Sequence, residues 1–441
     1  MNDVHQGRGL SKQSSKQLSG QSSQQSSQQS SQQASQQTTA QPFRQSAAQS
    51  TGYAARESSP PAQPEASLAS ALDFQASILE GVSRTFALTI PSLPGALQIP
   101  VTNAYLLCRI ADTIEDDAGL SPEDKRVVGR QFVEVIRGDR PAAGFGEALA
   151  PRLAPETLTA ERDLVERVAK VVEVTRSFGN VQQQALVRCV SLMSDGMHRF
   201  QQQVSLRGLD SQQRLDEYCY FVAGVVGEML TELFCNYSSA IARRRERLMQ
   251  LAPSFGQGLQ MTNILKDVRD DRERGVCWLP RTVFGLSPSG QGDLVAQLDD
   301  ERRRAGMERL AVVAHGHLKN ALSYTLLIPR RYQGIRRFCL WAVGMAVPTL
   351  DNIYRNPLFE SGDEVKISRA EVRRIVRRYG LFASSDAILR GLFRRDSRGL
   401  PESDPAVGDG LGVISRNASA RAEAGQEEYR KQELEESVSA N

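Results

Sequence analysis

Between roughly residues 71 and 395, Leu, Ile, Val and Ala recur at three- and four-residue spacing, and alternating runs rich in Val, Ile and Thr are scarce. That spacing lays an apolar stripe along one side of an α-helix, whereas a half-buried strand needs a period of two. The chain is therefore restricted to all-α architectures. The pattern breaks at PSLPGALQIP (91–100), GDRPAAGFG (138–146) and GLSPSGQGD (285–293), which read as connections between helices. There is no tandem repeat of solenoid period and no Walker or Rossmann glycine motif, so neither a repeat array nor a nucleotide-binding α/β fold is expected. One large helical domain, 71–395, accounts for the whole run.

The flanks differ. Residues 1–70 are dominated by Gln and Ser, as in SGQSSQQSSQQSSQQASQQTTAQ, and then by Pro and Ala. Such a composition buries too little apolar area to offset the entropy of ordering the backbone, and a disordered tail is expected. Arginine is too sparse there for a transit peptide, and the apolar core of a signal peptide is missing. Residues 396–441 are charged and rich in Ala and Ser, which predicts a loosely ordered tail with some helix in ARAEAGQEEYRKQELEE.

A net charge of +3 announces no nucleic-acid partner. The basic clusters RRRER (243–247), PRRYQGIRR (329–337) and RRIVRRYG (373–380) read either as solvated helix faces or as contacts for anionic lipid or diphosphate. Six cysteines stand singly in apolar surroundings, with no C-x-x-C pair, and read as small buried hydrophobes in a reducing compartment. His315 and His317 are two apart, so a helix points them in different directions and a metal pair is not expected. The stretch FCLWAVGMAVPTL (338–350) falls short of the ~20 residues that span a bilayer and contains Pro348. A cytoplasmic location, at most peripheral to a membrane, is the expectation.

Chemistry concentrates in NAYLLCRIADTIEDD (103–117). Tyr105, Arg109, Asp112 and Asp116 stand at i, i+4, i+7 and i+11, within an arc of about 60° on one helix face, with Glu115 on its shoulder. Leu106, Leu107, Ile110 and Ile114 occupy the opposite arc, and Asp117 lies far round from the column. Exposed like charges at i, i+4 cost only a few tenths of a kcal/mol, so a solvated column is one reading. A divalent cation shared by the carboxylates is the other.

A second stretch, GLQMTNILKDVRDDRERGVCWLP (258–280), shifts the balance. Gln260, Asn263, Asp267 and Asp271 again share one predicted helix face, flanked by Asp270, with Met261, Ile264, Leu265 and Val268 beside them. Two helices carrying acidic columns can face each other across a cavity. Mg²⁺ prefers oxygen ligands and keeps positions for substrate phosphates, so such walls suit a diphosphate held between them. An apolar cavity would shield a carbocation from water. Together these point to Mg²⁺-dependent ionisation of a diphosphate on an apolar substrate.

These stretches, with SRTFAL (83–88) and YCYFVAGVVGEMLTELF (218–234), resemble the head-to-head prenyl synthases, the squalene and phytoene synthases, over roughly residues 75–375. The resemblance implies the all-α isoprenoid-synthase bundle around a central apolar cavity. It implies Asp112, Glu115 and Asp116 as one Mg²⁺ site and Asp267, Asp270 and Asp271 as the other. Ser83, Arg84, Tyr105 and Arg109 match diphosphate-contacting positions, and Gln260 and Asn263 match polar groups lining the cavity. The small residues of VAGVVG (222–227) read equally as close approach to substrate or tight helix packing.

Within the family, VKISRAEV (365–372) is similar to the C-terminal part of one-step squalene synthases. That likeness implies two molecules of farnesyl diphosphate joined head to head through presqualene diphosphate, then reduced to squalene by NADPH, with Lys366 and Arg369 as cofactor contacts. Ser368 stands where an Arg is usual. Phe221 stands where animal and fungal squalene synthases carry a Tyr, leaving Tyr220 or Tyr218 to supply a hydroxyl. Phytoene or dehydrosqualene synthesis, and a non-catalytic assembly-factor-like relative, are the alternatives; intact Asp pairs on both helices argue against the last.

Overall fold

In this computed structural model, which describes residues 64–201 and 205–402, the periodicity resolves into helices. Among the described residues the only β pairing is an isolated bridge between Leu209 and Pro280. The amino-terminal half holds α1 (Pro64–Val82), α2 (Arg84–Thr89), α3 (Gly95–Asp116), α4 (Pro122–Arg137), α5 (Phe145–Leu149), α6 (Thr159–Glu166), α7 (Val168–Arg176) and α8 (Asn180–Gln201). Helix α9 (Gln212–Cys219) passes through a five-residue π turn, Tyr220–Gly224, into α10 (Val225–Tyr237). There follow α11 (Ser239–Ala242), α12 (Arg245–Lys266), α13 (Val268–Glu273), α14 (Asp300–Leu327), α15 (Gln333–Arg355), α16 (Arg369–Leu381) and α17 (Asp386–Asp396).

Helix α1 starts at Pro64, ahead of the boundary at 71 read from composition. A proline in a first turn loses no helical hydrogen bond, because that N–H has no partner anyway. The expected tails otherwise fall on 1–63 and 403–441, outside the described residues.

Helix α12 is the centre of the bundle, packed by α14, α10, α15, α9 and the π turn. Its Met261 and Leu265 are wholly buried. The α10–α12 crossing decides how the small residues of 222–227 are used. A Cβ on Gly227 would lie 2.1 Å from the Ala252 carbonyl oxygen, and one on Gly256 would lie 2.0 Å from that of Ala223. The run serves tight helix packing. The segment Gln212–Tyr237 is long and apolar enough for a membrane span, yet 72% of its most apolar window is buried in the fold, so it is a core element.

The two histidines also belong to the core. His317 Nδ1 lies 2.8 Å from the Ser254 hydroxyl, which accepts a hydrogen bond from Asn320, and His315 Nδ1 lies 3.1 Å from the Pro401 carbonyl. Burial lowers the His317 pKa to about 3 and that of His315 to about 4. Both rings are neutral when folded, while in the unfolded chain they take up protons near 6.5. Their contribution is therefore complete above that pH and is lost as pH falls towards 4 and 3. Replacing His317 with asparagine is expected to destabilise the protein at pH 7.5. The gap should narrow by about 1.4 kcal/mol at pH 5.5, one pKa unit below the unfolded value, as measured by denaturant unfolding at both pH values.

Candidate active site

The first acidic wall is the end of α3. Leu106, Leu107, Ile110 and Ile114 are buried, which turns Tyr105, Arg109, Asp112 and Asp116 to the other side. No basic residue occupies the last turn of α3, although the C-terminal end of a helix is its negative pole. Burial pushes the Asp112 pKa up to about 7; Arg109 opposes the shift, and Asp116 and Glu161 reinforce it. Burial, with Asp116 and Asp112 adding to it, pushes Glu115 up to about 8. Asp116 touches solvent but is also raised by the atoms crowded round it, against Arg274, Lys125 and Arg109. These groups are short of positive charge. Asp117 is separate: it is buried and accepts hydrogen bonds from Gly119 N (2.8 Å) and Ala154 N (2.9 Å), fastening the 150s loop.

The second wall departs from the unbroken helix that the sequence predicts over Gln260–Asp271. Helix α12 stops at Lys266, and Asp267 (φ −97°, ψ 10°) sits at a joint before α13. The i to i−4 bonds nevertheless continue, from Asp267 N to Asn263 O (2.8 Å) and from Asp271 N to Asp267 O (2.8 Å). The chain bends at Asp267, and these two bonds bridge the break between the helices. Gln260 is half-buried, Asn263 and Asp270 are exposed, and Asp267 pairs with Lys266 at 2.9 Å.

Asp271 ties the two walls together. Burial pushes its pKa up to about 6, Arg274 opposes, and both Asp267 and Asp116 of the far wall add to the rise. Arg274 bonds Asp271 and also acts on Asp116, so a cation stands between the ends of α3 and α13. Arg274 lies inside the second motif but was not singled out by spacing. Glu161 of α6, 3.6 Å from Arg109, lies in no motif and only the fold brings it in.

The Tyr105 hydroxyl donates to Val82 O at 2.9 Å and accepts from Arg109 Nε at 3.3 Å, while its ring packs on Phe86 at 4.5 Å. Ser83 caps α2 by accepting from Phe86 N, so α2 begins beside this pair with Arg84 exposed next to it. Burial works to lower the Arg109 pKa, but Asp112, Tyr105 and Glu161 raise it above the ordinary value. Arg109 is permanently charged.

The aromatic candidates separate. Tyr218 stacks on Trp278 at 3.8 Å. Burial, then Glu115, Asp116 and Asp112, push its pKa well up, so it is a protonated donor within reach of the first wall's field. Tyr220 is wholly buried with its hydroxyl 3.4 Å from each Glu228 oxygen. Of the two hydroxyls suggested for the place of the one missing at Phe221, that of Tyr220 donates to Glu228, while that of Tyr218 lies in the field of the first wall's acids. Phe221 sits in the core against Gly196, where a Cβ would come within 2.2 Å of its ring. Tyr218 and Tyr220 are two residues apart, about 200° round a helix, so their rings meet different neighbours.

Lys366 bonds Asp363 at 2.9 Å and lies near Asp267 and Asp270, all of which raise its pKa. Arg369 opens α16 and is exposed. Ser368 caps that helix: its hydroxyl accepts from Glu371 N (3.2 Å), and its own N–H donates to Glu371 Oε2 (2.8 Å). A serine here closes the cap, which an arginine cannot do.

The donors fit the groups implied. The walls offer carboxylate oxygens, which suit Mg²⁺. Among the described residues no group of three His, Cys, Asp or Glu side chains is drawn together as a metal site. Two cations at the start of α16 fit a phosphate-bearing cofactor.

The squalene/phytoene synthase family model matches residues 79–371. The squalene synthase of Gibberella zeae is 28% identical over 296 residues, covering 67% of this chain and 61% of that protein. The Schizosaccharomyces pombe squalene synthase is 28% identical over 303 residues, with coverages of 68% and 63%. For the Botryococcus braunii squalene synthase the figures are 27% over 310 residues, 69% and 62%. The chain thus spans about 61% of the length of the first of these relatives. The solved structure of TcSQS with the ligand BPH1237 superposes with a TM-score of 0.61 at 23% identity, covering 80% of this chain and 99% of that one. A dehydrosqualene synthase bound to a ligand gives 0.50 at 19%, with coverages of 73% and 100%. The fold is shared with both, and the chain belongs to the squalene/phytoene synthase family.

Proposed function

We propose that this chain is a prenyltransferase, a squalene synthase. It would join two farnesyl diphosphates head to head through presqualene diphosphate and reduce the product to squalene with NADPH. The observation that carries this reading is Arg274, which bonds Asp271 of the second wall and also acts on Asp116 of the first. When bound, Mg²⁺ would supply the positive charge that holds a diphosphate and stabilises it as a leaving group. Asp112, Glu115 and Asp116 would hold it on one side, and Asp267, Asp270 and Asp271 on the other.

The chain's own residues then have defined tasks. Arg109, fixed by Tyr105 and Glu161, presents a charged fork to phosphate oxygens. Ser83 and Arg84 lie beside it, and Gln260 and Asn263 add polar groups above the second wall. Tyr218 keeps its proton and can donate to a phosphate oxygen. Its stacked partner Trp278 supports the ring and helps exclude water. Lys366 and Arg369 would hold the phosphate of NADPH. The six buried free cysteines support a reducing, cytoplasmic setting.

Incubation with farnesyl diphosphate and Mg²⁺, with and without NADPH, tests the assignment. Squalene formed only with NADPH is expected. Dehydrosqualene regardless of NADPH, or phytoene from geranylgeranyl diphosphate, would overturn the specificity.

The two tyrosines give a sharper expectation. Tyr218→Phe should lower turnover by about a hundredfold if its hydroxyl donates in the reaction. Tyr220→Phe should leave turnover near normal while costing about 1 kcal/mol of stability through the lost Glu228 contact. Steady-state turnover and thermal unfolding of both variants separate these effects.

A further inference from the structure

Helices α16 and α17 carry charge that the described residues do not neutralise. Residues 369–398 contain nine arginines against three carboxylates, and all three carboxylates are engaged. Glu371 closes the cap of α16, Asp386 binds Arg330 and the buried Arg336, and Asp396 binds Arg378 and Tyr379. Arg369, Arg373 and Arg377 recur every four residues and so run along one side of α16, all exposed. The opposite side, Ile375 and Tyr379, packs against Gly344 of α15.

The same exposed row ends in an apolar residue. Leu381 follows Arg377 by four and is 71% exposed, the most exposed large hydrophobic side chain among the described residues. Ile388, 41% exposed, stands beyond the short turn on α17, with exposed Arg395 about two turns further along the same face. A solvated salt-bridge face would mix both signs of charge and would not expose leucine and isoleucine at its corner. Arginines surrounding a protruding apolar corner match an anionic bilayer, in which headgroups meet the guanidiniums and the apolar side chains enter the interface.

We propose that the exposed side of α16, with the Leu381–Ile388 corner, is a docking surface for an anionic lipid bilayer. This assignment does not depend on the reaction proposed above.

Co-sedimentation of the full chain with phosphatidylcholine vesicles, with and without phosphatidylglycerol, tests it. Binding is expected only with phosphatidylglycerol and should weaken as salt is raised. Arg373→Glu with Arg377→Glu should reduce binding about tenfold or more. Leu381→Ser should reduce it at unchanged charge, and turnover on detergent-dispersed substrate should be unaffected. Arg373→Gln with Arg377→Gln provides a milder pair, with thermal unfolding as the check on folding.

Absence of binding, or equal binding by folded charge-reversal variants, would overturn the proposal. So would binding that appears only after Glu427, Glu428, Glu433, Glu435 and Glu436 are changed to Gln. That result would assign the basic face to the chain's own acidic C-terminal segment.

Discussion

Asp112→Asn and Asp267→Asn are each expected to lower turnover by about a hundredfold or more while the protein remains folded. Each removes a carboxylate from a wall that would hold the cation facing the leaving diphosphate. Metal stabilisation of such a charge is worth several kcal/mol, and each 1.36 kcal/mol is tenfold in rate. The two variants act on opposite walls, so equal losses would show that both walls are needed.

Stability is expected to move the other way at Asp112. Its folded pKa of about 7 lies above the unfolded value near 3.9. Such a group favours folding below the unfolded pKa and loses that contribution as pH rises through the folded one. Near pH 8, asparagine therefore removes a cost, and the thermal midpoint in metal-free buffer should hold or rise. Near-normal turnover in a folded Asp112→Asn or Asp267→Asn protein would remove the basis for the two-wall assignment.

Gly256→Val is expected to have the largest structural effect. Its Cβ position lies 2.0 Å from the Ala223 carbonyl oxygen and 2.8 Å from Gly224 N, both backbone atoms that no rotamer change can move. Relieving that overlap requires α12 to draw away from the π turn and α10, breaking the contact around which the bundle is built. Overpacking in a core typically costs 1–3 kcal/mol, and an obstruction by backbone should reach about 3 kcal/mol or more. At roughly 2–4 °C per kcal/mol, the midpoint should fall by about 6–12 °C. The control is Gly391→Val on α17, where nothing lies within 4 Å of the added Cβ and only a small propensity effect is expected. A Gly256→Val midpoint close to that control would mean that the helices do not meet so closely.

The acidic columns were legible because a helix converts spacing into direction. Tyr105, Arg109, Asp112 and Asp116 share a face once α3 exists, and the apolar residues opposite them fix which face is buried. Asp117 was separable from Asp116 by the same rule, and its role in fastening Ala154 agrees with that separation. Spacing could not foresee the joint at Asp267, because a short-range change of backbone angle leaves no mark on apolar periodicity. It could not choose among Tyr218, Tyr220 and Phe221 either. That choice depends on which partner each ring meets, Trp278, Glu228 or Gly196, and all three come from elsewhere in the fold.

Sequence by itself therefore determined the helical class, the two acid-bearing stretches and the family, since each is a matter of local period or of residues in order. Tertiary structure decided the rest. It set Asp271 against Asp116, placed Arg274 between them, brought Glu161 to Arg109 and sent the Tyr220 hydroxyl to Glu228. It also settled that the glycines of α10 and α12 bring backbones together. Such pairings join residues distant in the chain, and they follow from how helices pack, which a one-dimensional pattern does not encode.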